Sequence, residues 1–371
     1  MRLALRELRR RPGRFVTATV ILTLVAVLVM FLGGLLDGLV RSSTDAVRAQ
    51  DGDLIVFSST SQSSFLRSRI DPDARAAVDE LPGVDETGGL GLVQLGARVP
   101  GNGPRELAAT ALFGYELPPV GVPQPPAPGE VYADEVLRAD GVEEGMEILL
   151  GPARSPVTVV GFVSATTYSG QGSLWADATT WREVLTANRP DQQLGDGVFQ
   201  ALVVRTTADA DVAAVAAEID DATGGATESL TVTQTVDAIP GVEQQRSTFN
   251  QIIAVTIAIA VVVVALFFAL LTVERLGLYG VLKAVGARSR TLFAGLVVQA
   301  VLVTAVAVTI AAGLAVLLDA VIPPGSIPLD ITVRRIATSA VLLLAAAVFG
   351  CAFSLRRVLR VDPASAIGTI S

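Results

Sequence analysis

The stretch IIAVTIAIAVVVVALFFALLTV, residues 252–273, runs its whole length without a charge. A helix rises 1.5 Å per residue, so a run of roughly 20 apolar residues crosses the hydrocarbon core of a bilayer, about 30 Å thick. Three other stretches read the same way: 15–36, 292–318 and 336–355. Buried helices of soluble enzymes rarely go that far without a charge or a cap. The chain as a whole is 51% hydrophobic and only 17% charged, where soluble domains carry about a quarter charged residues. The fold class that follows is a polytopic α-helical membrane protein with four transmembrane helices.

Arginine placement orients the spans. Arg2, Arg6, Arg9, Arg10, Arg11 and Arg14 precede the first span. Arg275, Lys283, Arg288 and Arg290 lie between the second and third, and Arg356, Arg357 and Arg360 follow the fourth. Four spans put these three segments on one side, which the positive-inside rule makes the cytoplasm. The other side receives a short loop, with Arg334 and Arg335 against the rule, and the long region 41–248. That region holds 30 acidic and 13 basic residues, a net charge of −17. Its acidity could attract cationic substrates, but a generally acidic proteome gives the same charge and is the favoured reading. The first apolar run exceeds the 7–15 residues of a signal-peptide core and no A-x-A-like site follows it closely, so it reads as a retained anchor.

The expected layout is a cytoplasmic amphipathic segment 1–14, span one at 15–40, an extracytoplasmic domain at 41–248 and span two at 249–273. A cytoplasmic segment 274–291, span three at 292–318, an outer loop 319–335, span four at 336–355 and a cytoplasmic tail 356–371 complete it. The multi-pass chain belongs in a bacterial plasma membrane with both termini cytoplasmic.

The outer domain reads as α+β. Strands are expected at 52–58, 89–99, 106–115, 199–207 and 228–236, and helices at 72–81 and 208–224. This is close to a split βαβ, ferredoxin-like pattern with one strand too many. The ferredoxin-like part takes 51–115 and 196–236. A small β-rich insertion takes 116–195, opened by the stiff proline-rich LPPVGVPQPPAPG. Cys351 is the single cysteine and falls inside the fourth span, so no intramolecular disulfide holds the outer domain. The chain contains no histidine, which excludes histidine triads, histidine metal sites and imidazole acid–base catalysis. No catalytic residue or metal ligand is assigned, and nucleic acid is not expected as a partner. Asp37 and Asp319 sit at outer span ends. Gly34 and Gly38 form a G-x-x-x-G, which permits close helix approach and dimerisation, or is a chance match in a glycine-rich chain.

The cytoplasmic link ERLGLYGVLKAVGARSRTL, residues 274–292, is the most informative segment. Leu276, Tyr279, Leu282 and Val285 make one apolar face at helical spacing beside the basic residues. The pattern suits a helix lying on the membrane and a docking helix for a cytosolic partner equally well. This segment resembles the signature of MacB/FtsX-type ABC transporter permeases, R-x-x-E-x-G-x-x-K-A-x-G-A. Arg275, Gly280, Lys283, Ala284, Gly286 and Ala287 match it; Leu278 stands at the glutamate position, with Glu274 one turn earlier. The tail VDPASAI (361–367) and the whole layout are also similar to that family, the DevC-like branch among its members.

The resemblance implies a permease subunit that couples ATP hydrolysis by a separate cytosolic ABC ATPase to motion of the outer domain. Glu274, Arg275, Gly280, Lys283, Ala284, Gly286 and Ala287 would form the ATPase-coupling contact. It further implies a second permease chain, identical or not, and an extracytoplasmic accessory protein beside the lipid bilayer. Export or extracytoplasmic handling of a substrate is one expected use of the motion; FtsX-type signalling to an outer enzyme without transport is the alternative. ATP and Mg would be bound by the partner. The only lysine, Lys283, sits in VLKAVG and not in G-x-x-x-x-G-K-[ST], so this chain carries no P-loop and no ATPase activity or cofactor of its own is expected.

Overall fold

The computed structural model describes residues 12–103, 105–273, 289–322 and 327–358. It divides into two compact units, Met1–Gly38 with Arg246–Ser371, and Leu39–Gln245.

The membrane unit is all-helical. Helix α1 (Pro12–Arg48) enters it from the N-terminal side and continues into the outer unit, and α6 (Val242–Val273), α7 (Ser289–Val321) and α8 (Val333–Val358) complete it. Each contains a segment long and apolar enough to cross a membrane: Val16–Arg48, Val242–Leu270, Ala294–Val321 and Val333–Ala352. The helices meet through small residues. Ala300, Ala307, Ala311 and Ala315 of α7 are all buried, which lets neighbouring backbones come close where no hydrophobic effect drives helices together. Gly350 of α8 does the same against α6; a Cβ there would lie 2.6 Å from the Val261 carbonyl oxygen. The Thr23 hydroxyl bridges α1 to the Ala307 carbonyl of α7 at 3.4 Å.

In the outer unit, β1 (Leu54–Ser58), α2 (Pro72–Asp79), β2 (Val84–Arg98) and β3 (Ala108–Tyr115) come first. Then follow β4 (Glu130–Asp134), β5 (Glu147–Leu150), β6 (Ser155–Val163), β7 (Gly172–Asp177) and α3 (Ala178–Asn188). The unit ends with β8 (Ala201–Thr206), α4 (Val212–Ala222), β9 (Thr227–Thr231) and α5 (Val232–Ala238). Strands β2, β8, β1 and β9 pair in that order, all antiparallel. With α2 and α4 as crossovers this is the ferredoxin-like split βαβ arrangement. Leu54, Val56, Val78, Leu202, Val204, Val215 and Ile219 form the core between sheet and helices.

The long strand β2 changes partner at Leu90. Its first half pairs with β8, and from Leu90 to Ala97 it pairs with β3. Pairings β3–β7, β7–β4, β4–β6, β6–β5 and β5–β2 then close a six-stranded barrel. So β3, the strand in excess of the ferredoxin pattern, belongs to the barrel and not to the ferredoxin-like part, and the change from one part to the other, expected at 116, comes instead at Leu90 within β2. A barrel needs β2 and β3 as a shared wall, which a linear insertion limit cannot express. The barrel is filled by Trp181 of α3, fully buried. Gly91 and Gly114 make the room, since a Cβ on either would lie 2.1 or 2.4 Å from the Trp181 side chain.

A second correction concerns 228–236, read as one strand from its β-branched residues. The strand stops at Thr231 and α5 begins, because Thr231 and Gln234 form a reciprocal capping box. That signature, Thr-x-x-Gln, was legible and outweighs β-propensity at a helix start. Each of the outer unit's two eleven-residue helices opens on an aspartate whose side chain accepts backbone N–H groups, Asp177 for α3 and Asp211 for α4.

Candidate functional site

The residues expected to couple to an ATPase, Glu274, Arg275, Gly280, Lys283, Ala284, Gly286 and Ala287, lie in 274–288, outside the described residues. They join α6, which ends at Val273, to α7, which begins at Ser289.

A built polar cluster lies within the membrane unit, where α1 meets the start of α8. Gly33 and Asp37, and Gly34 and Gly38, are each four residues apart and lie on neighbouring stripes of α1. Asp37 Oδ2 accepts from Arg335 Nε at 2.7 Å and Oδ1 accepts from Arg335 Nη2, a bidentate pair. Gly33 opens the path for the arginine, since a Cβ there would lie 2.6 Å from Arg335 Cδ. Gly34 and Gly38 do pack closely against something, but it is an extended segment, 328–331, and not a helix. A Cβ on Gly38 would sit 2.0 Å from the Pro328 carbonyl oxygen, and the Gly34 carbonyl accepts from Asp330 N at 3.1 Å. Thr332 then caps α8, accepting the Arg335 N–H at 3.2 Å. A cation in the first turn of a helix opposes the macrodipole; the Asp37 carboxylate offsets that. Of the two arginines that defied the positive-inside rule, Arg335 is therefore held by Asp37, while Arg334 and Asp319 are exposed. The sequence signalled both charges as out of place but not their pairing.

Within the outer unit, the C-terminal part of α1 carries a second arrangement that the sequence reading missed. Ser42, Ser43 and Thr44 turn their hydroxyls back onto the Leu39 and Val40 carbonyls at 2.8–3.0 Å. Such back-bonding bends helices. The loop before β7 is bonded to this stretch: Ala46 N donates to the Thr167 carbonyl at 3.0 Å, and Ser169 N and Gly170 N donate to the Ser43 and Ser42 carbonyls at 3.1 and 2.9 Å. Ala165, Ser169 and Gly170 take positive φ of 57°, 51° and 74° to make these turns. Tyr168 of the loop packs edge-on against Phe65 and Phe113, and Phe113 stacks on Trp175 at 4.6 Å. Below it the buried Asp134 carboxylate accepts from Thr166 N at 2.9 Å, Thr166 Oγ1 at 2.6 Å and Val136 N at 3.0 Å. The loop thus ties α1 on one side to Phe113 and Trp175, on the outer face of barrel strands β3 and β7, on the other.

Burial pushes the Tyr168 phenol up to about 12, and burial with the nearby Tyr132 pushes Tyr115 higher still. Among the described residues no group of three or more His, Cys, Asp or Glu is placed to hold a metal ion.

Four helices long and apolar enough to cross a membrane, with an α+β unit inserted between the first and second, define the class as a multi-pass membrane protein. The sequence profile of the MacB-like periplasmic core domain matches residues 15–222, and that of the FtsX-like permease C-terminal domain matches residues 250–363. The chain belongs to the MacB/FtsX-type ABC permease family. It is 21% and 20% identical to the hemin transport system permease proteins HrtB of two Staphylococcus epidermidis strains, covering 99% of both chains in each case. A Staphylococcus haemolyticus HrtB is 29% identical over 36% of this chain and 37% of that one. Of solved structures, the periplasmic region of MacB from Actinobacillus actinomycetemcomitans is similar at 13% identity, with a TM-score of 0.36 over 53% of this chain and 96% of that one.

Proposed function

We propose that this chain is a transporter subunit driven by a separate cytosolic ATPase, which docks on 274–290 and whose ATP-driven motion α1 and α6 carry to the outer unit. The observation that carries the reading is the FtsX-like match over 250–363, which includes the basic amphipathic link with Arg275, Gly280, Lys283, Ala284, Gly286 and Ala287. A docking helix needs small residues where backbones approach, and Gly280, Ala284, Gly286 and Ala287 meet that need. ATP and Mg belong to the partner, two permease chains pair in the bilayer, and the link and both termini face the cytoplasm. The relatives matched over their full length are named for hemin transport, and an apolar cargo of that class is the substrate this reading extends to. Hemin-stimulated ATPase activity in proteoliposomes holding both subunits separates transport from FtsX-type signal transmission.

Ala284→Glu tests the docking. An unpaired charge buried at an interface costs several kcal/mol, and each 1.4 kcal/mol is about tenfold in affinity. The ATPase is expected to be lost from detergent-purified complexes while the outer unit melts as in the wild type. Co-purification at wild-type stoichiometry would sink the docking assignment and leave the link as a helix on the membrane surface.

A further inference from the structure

The turn between β1 and α2 is built to hold an apolar side chain out in the open. Ser68, fully buried, accepts the Ser58 N–H at 2.8 Å, and the Ser61 hydroxyl donates to the Ser58 carbonyl at 2.7 Å. Gln62 and Ser63 take positive φ of 51° and 54° to reverse the chain. Phe65 is buried, edge-on to Phe57 at 4.9 Å and to Tyr168 at 6.2 Å. The next two residues, Leu66 and Arg67, are exposed, Leu66 by 44%. Arg69 folds back on the turn, its Nη1 donating to the Leu66 carbonyl at 3.1 Å and the Ser68 carbonyl at 2.6 Å. It thereby fixes the backbone that presents Leu66.

Location and charge both suit a bilayer surface. Helix α1 is continuous from Pro12 to Arg48, and its apolar run ends at Leu36. Ser43 lies about 10 Å further along the helix axis. The Ser42 and Ser43 carbonyls bond Gly170 and Ser169 of the loop whose Tyr168 meets Phe65, so the turn is held beside that stretch of α1. A headgroup layer is about 5–7 Å deep, and an arginine stem reaches across the difference. Residues 71–248 hold 27 acidic and 9 basic residues, but 41–70 hold three aspartates and four arginines, Arg41, Arg48, Arg67 and Arg69. An anionic surface repels the first stretch and not the second. We propose that Leu66 and Arg67 form a phospholipid-contact site on the leaflet facing the outer unit. Leu66 seats among the glycerol and upper acyl groups, and Arg67 holds the phosphate of an anionic headgroup through a charge-assisted bond. A zwitterionic headgroup binds less well, because its own ammonium competes with the guanidinium. Occupancy braces the turn and, through Phe65 and Tyr168, the loop that grips α1.

The test is quenching of a fluorophore at position 66 in the full chain, in lipid discs without any other protein. Cys351 is buried, and Cys351→Ala with Leu66→Cys leaves a single site for a nitrobenzoxadiazole label. The discs carry phosphatidylcholine or phosphatidylglycerol spin-labelled near the glycerol end of an acyl chain, with unlabelled lipid as the baseline. Quenching is expected, and more of it from phosphatidylglycerol. Arg67→Gln is expected to cut that preference about fivefold, the worth of one basic residue at an anionic surface, and Arg67→Lys to restore it. Because a fluorophore inserts more readily than leucine, lipid retained through detergent extraction is counted by mass spectrometry on chains without a label. The wild type is expected to retain more phosphatidylglycerol than Leu66→Ser/Arg67→Gln does. An unquenched label overturns the proposal, as does equal quenching by the two lipids, a preference that Arg67→Gln leaves unchanged, or equal lipid retention. A label unquenched by lipid yet shielded from aqueous iodide overturns it in favour of a contact between two copies of the chain. Failure here leaves the ATPase-docking reading standing, because that rests on a different segment.

Discussion

The outer unit and the membrane unit bury their side chains by different routes. In the outer unit Trp175, Trp181, Phe57 and Phe113 have no exposed surface. Barrel and sheet close around them, and glycines are spent where the rings need room. In the membrane unit alanines such as Ala300, Ala307, Ala311 and Ala315 share the buried contacts with Met30 and Phe268, while Leu24, Leu266 and Val341 stay 65–66% exposed. The outer unit therefore completes its core from its own residues. The membrane unit leaves many of its large side chains outward, where lipid tails can cover them, and among the described residues it holds one buttressed ion pair, Asp37 with Arg335.

The comparison is broken most easily at Trp181. Trp181→Ala is expected to destabilise the outer unit by about 3–5 kcal/mol, the usual range for emptying a packed aromatic site. The remaining Trp175 reports the urea midpoint by fluorescence. The lipid-facing Leu266→Ala is the counterpart, expected to leave detergent-solubilised thermal stability nearly unchanged; equal losses in the two variants would erase the distinction between the units.

Alkaline pH sharpens it next. Tyr168 is pushed up to about 12 by burial, above its ordinary value near 10. Below pH 10 the phenol is protonated in folded and unfolded chains alike, and its contribution is complete. Between pH 10 and 12 the unfolded chain ionises first, so stability falls by an amount on the order of 2 kcal/mol. Urea midpoints of wild type and Tyr168→Phe, measured from pH 9 to 12, are expected to diverge in slope over that window. Parallel slopes would mean that Tyr168 ionises as easily in the fold as out of it.

The smallest effect belongs to the membrane unit's pair. The side chains of Arg335 and Asp37 retain 23% and 31% exposure, so solvent screens them in part. A double-mutant cycle with Asp37→Asn and Arg335→Gln is expected to give a coupling of about 1 kcal/mol in thermal stability. A coupling of zero would make the pair incidental to the stability of the membrane unit.

The spans were legible because an uncharged run of some 20 residues has few other fates, but their helix ends were not. Helix α1 runs to Arg48, past the limit expected at 40, since Ser42, Ser43 and Thr44 satisfy their hydroxyls on the helix's own carbonyls. The strands and helices of the ferredoxin-like part were visible as period-2 and period-3.6 runs bounded by Pro and Gly. The barrel was not, because its closure rests on pairings such as Ala97 with Leu150 and Thr110 with Gly172, which no local pattern announces. Among candidate site residues, Gly34 and Gly38 were singled out for close approach, and within the chain the 328–331 segment lies against them. The G-x-x-x-G spacing states that something comes near and is silent on what.

By itself, the sequence determined solvent, layout and exclusions. Hydrophobic run length chose the bilayer, arginine asymmetry gave the expected orientation, and the absence of histidine and of a P-loop removed whole classes of chemistry. These depend on composition and on contacts a few residues apart. Only the tertiary structure decided that β3 walls a barrel, that Asp37 meets Arg335 across 298 residues, and that the turn carrying Leu66 lies beside the Ser42–Ser43 stretch of α1. Those are matters of long-range register and close packing, in which a residue's partner is set by the path of the chain and not by its neighbours in sequence.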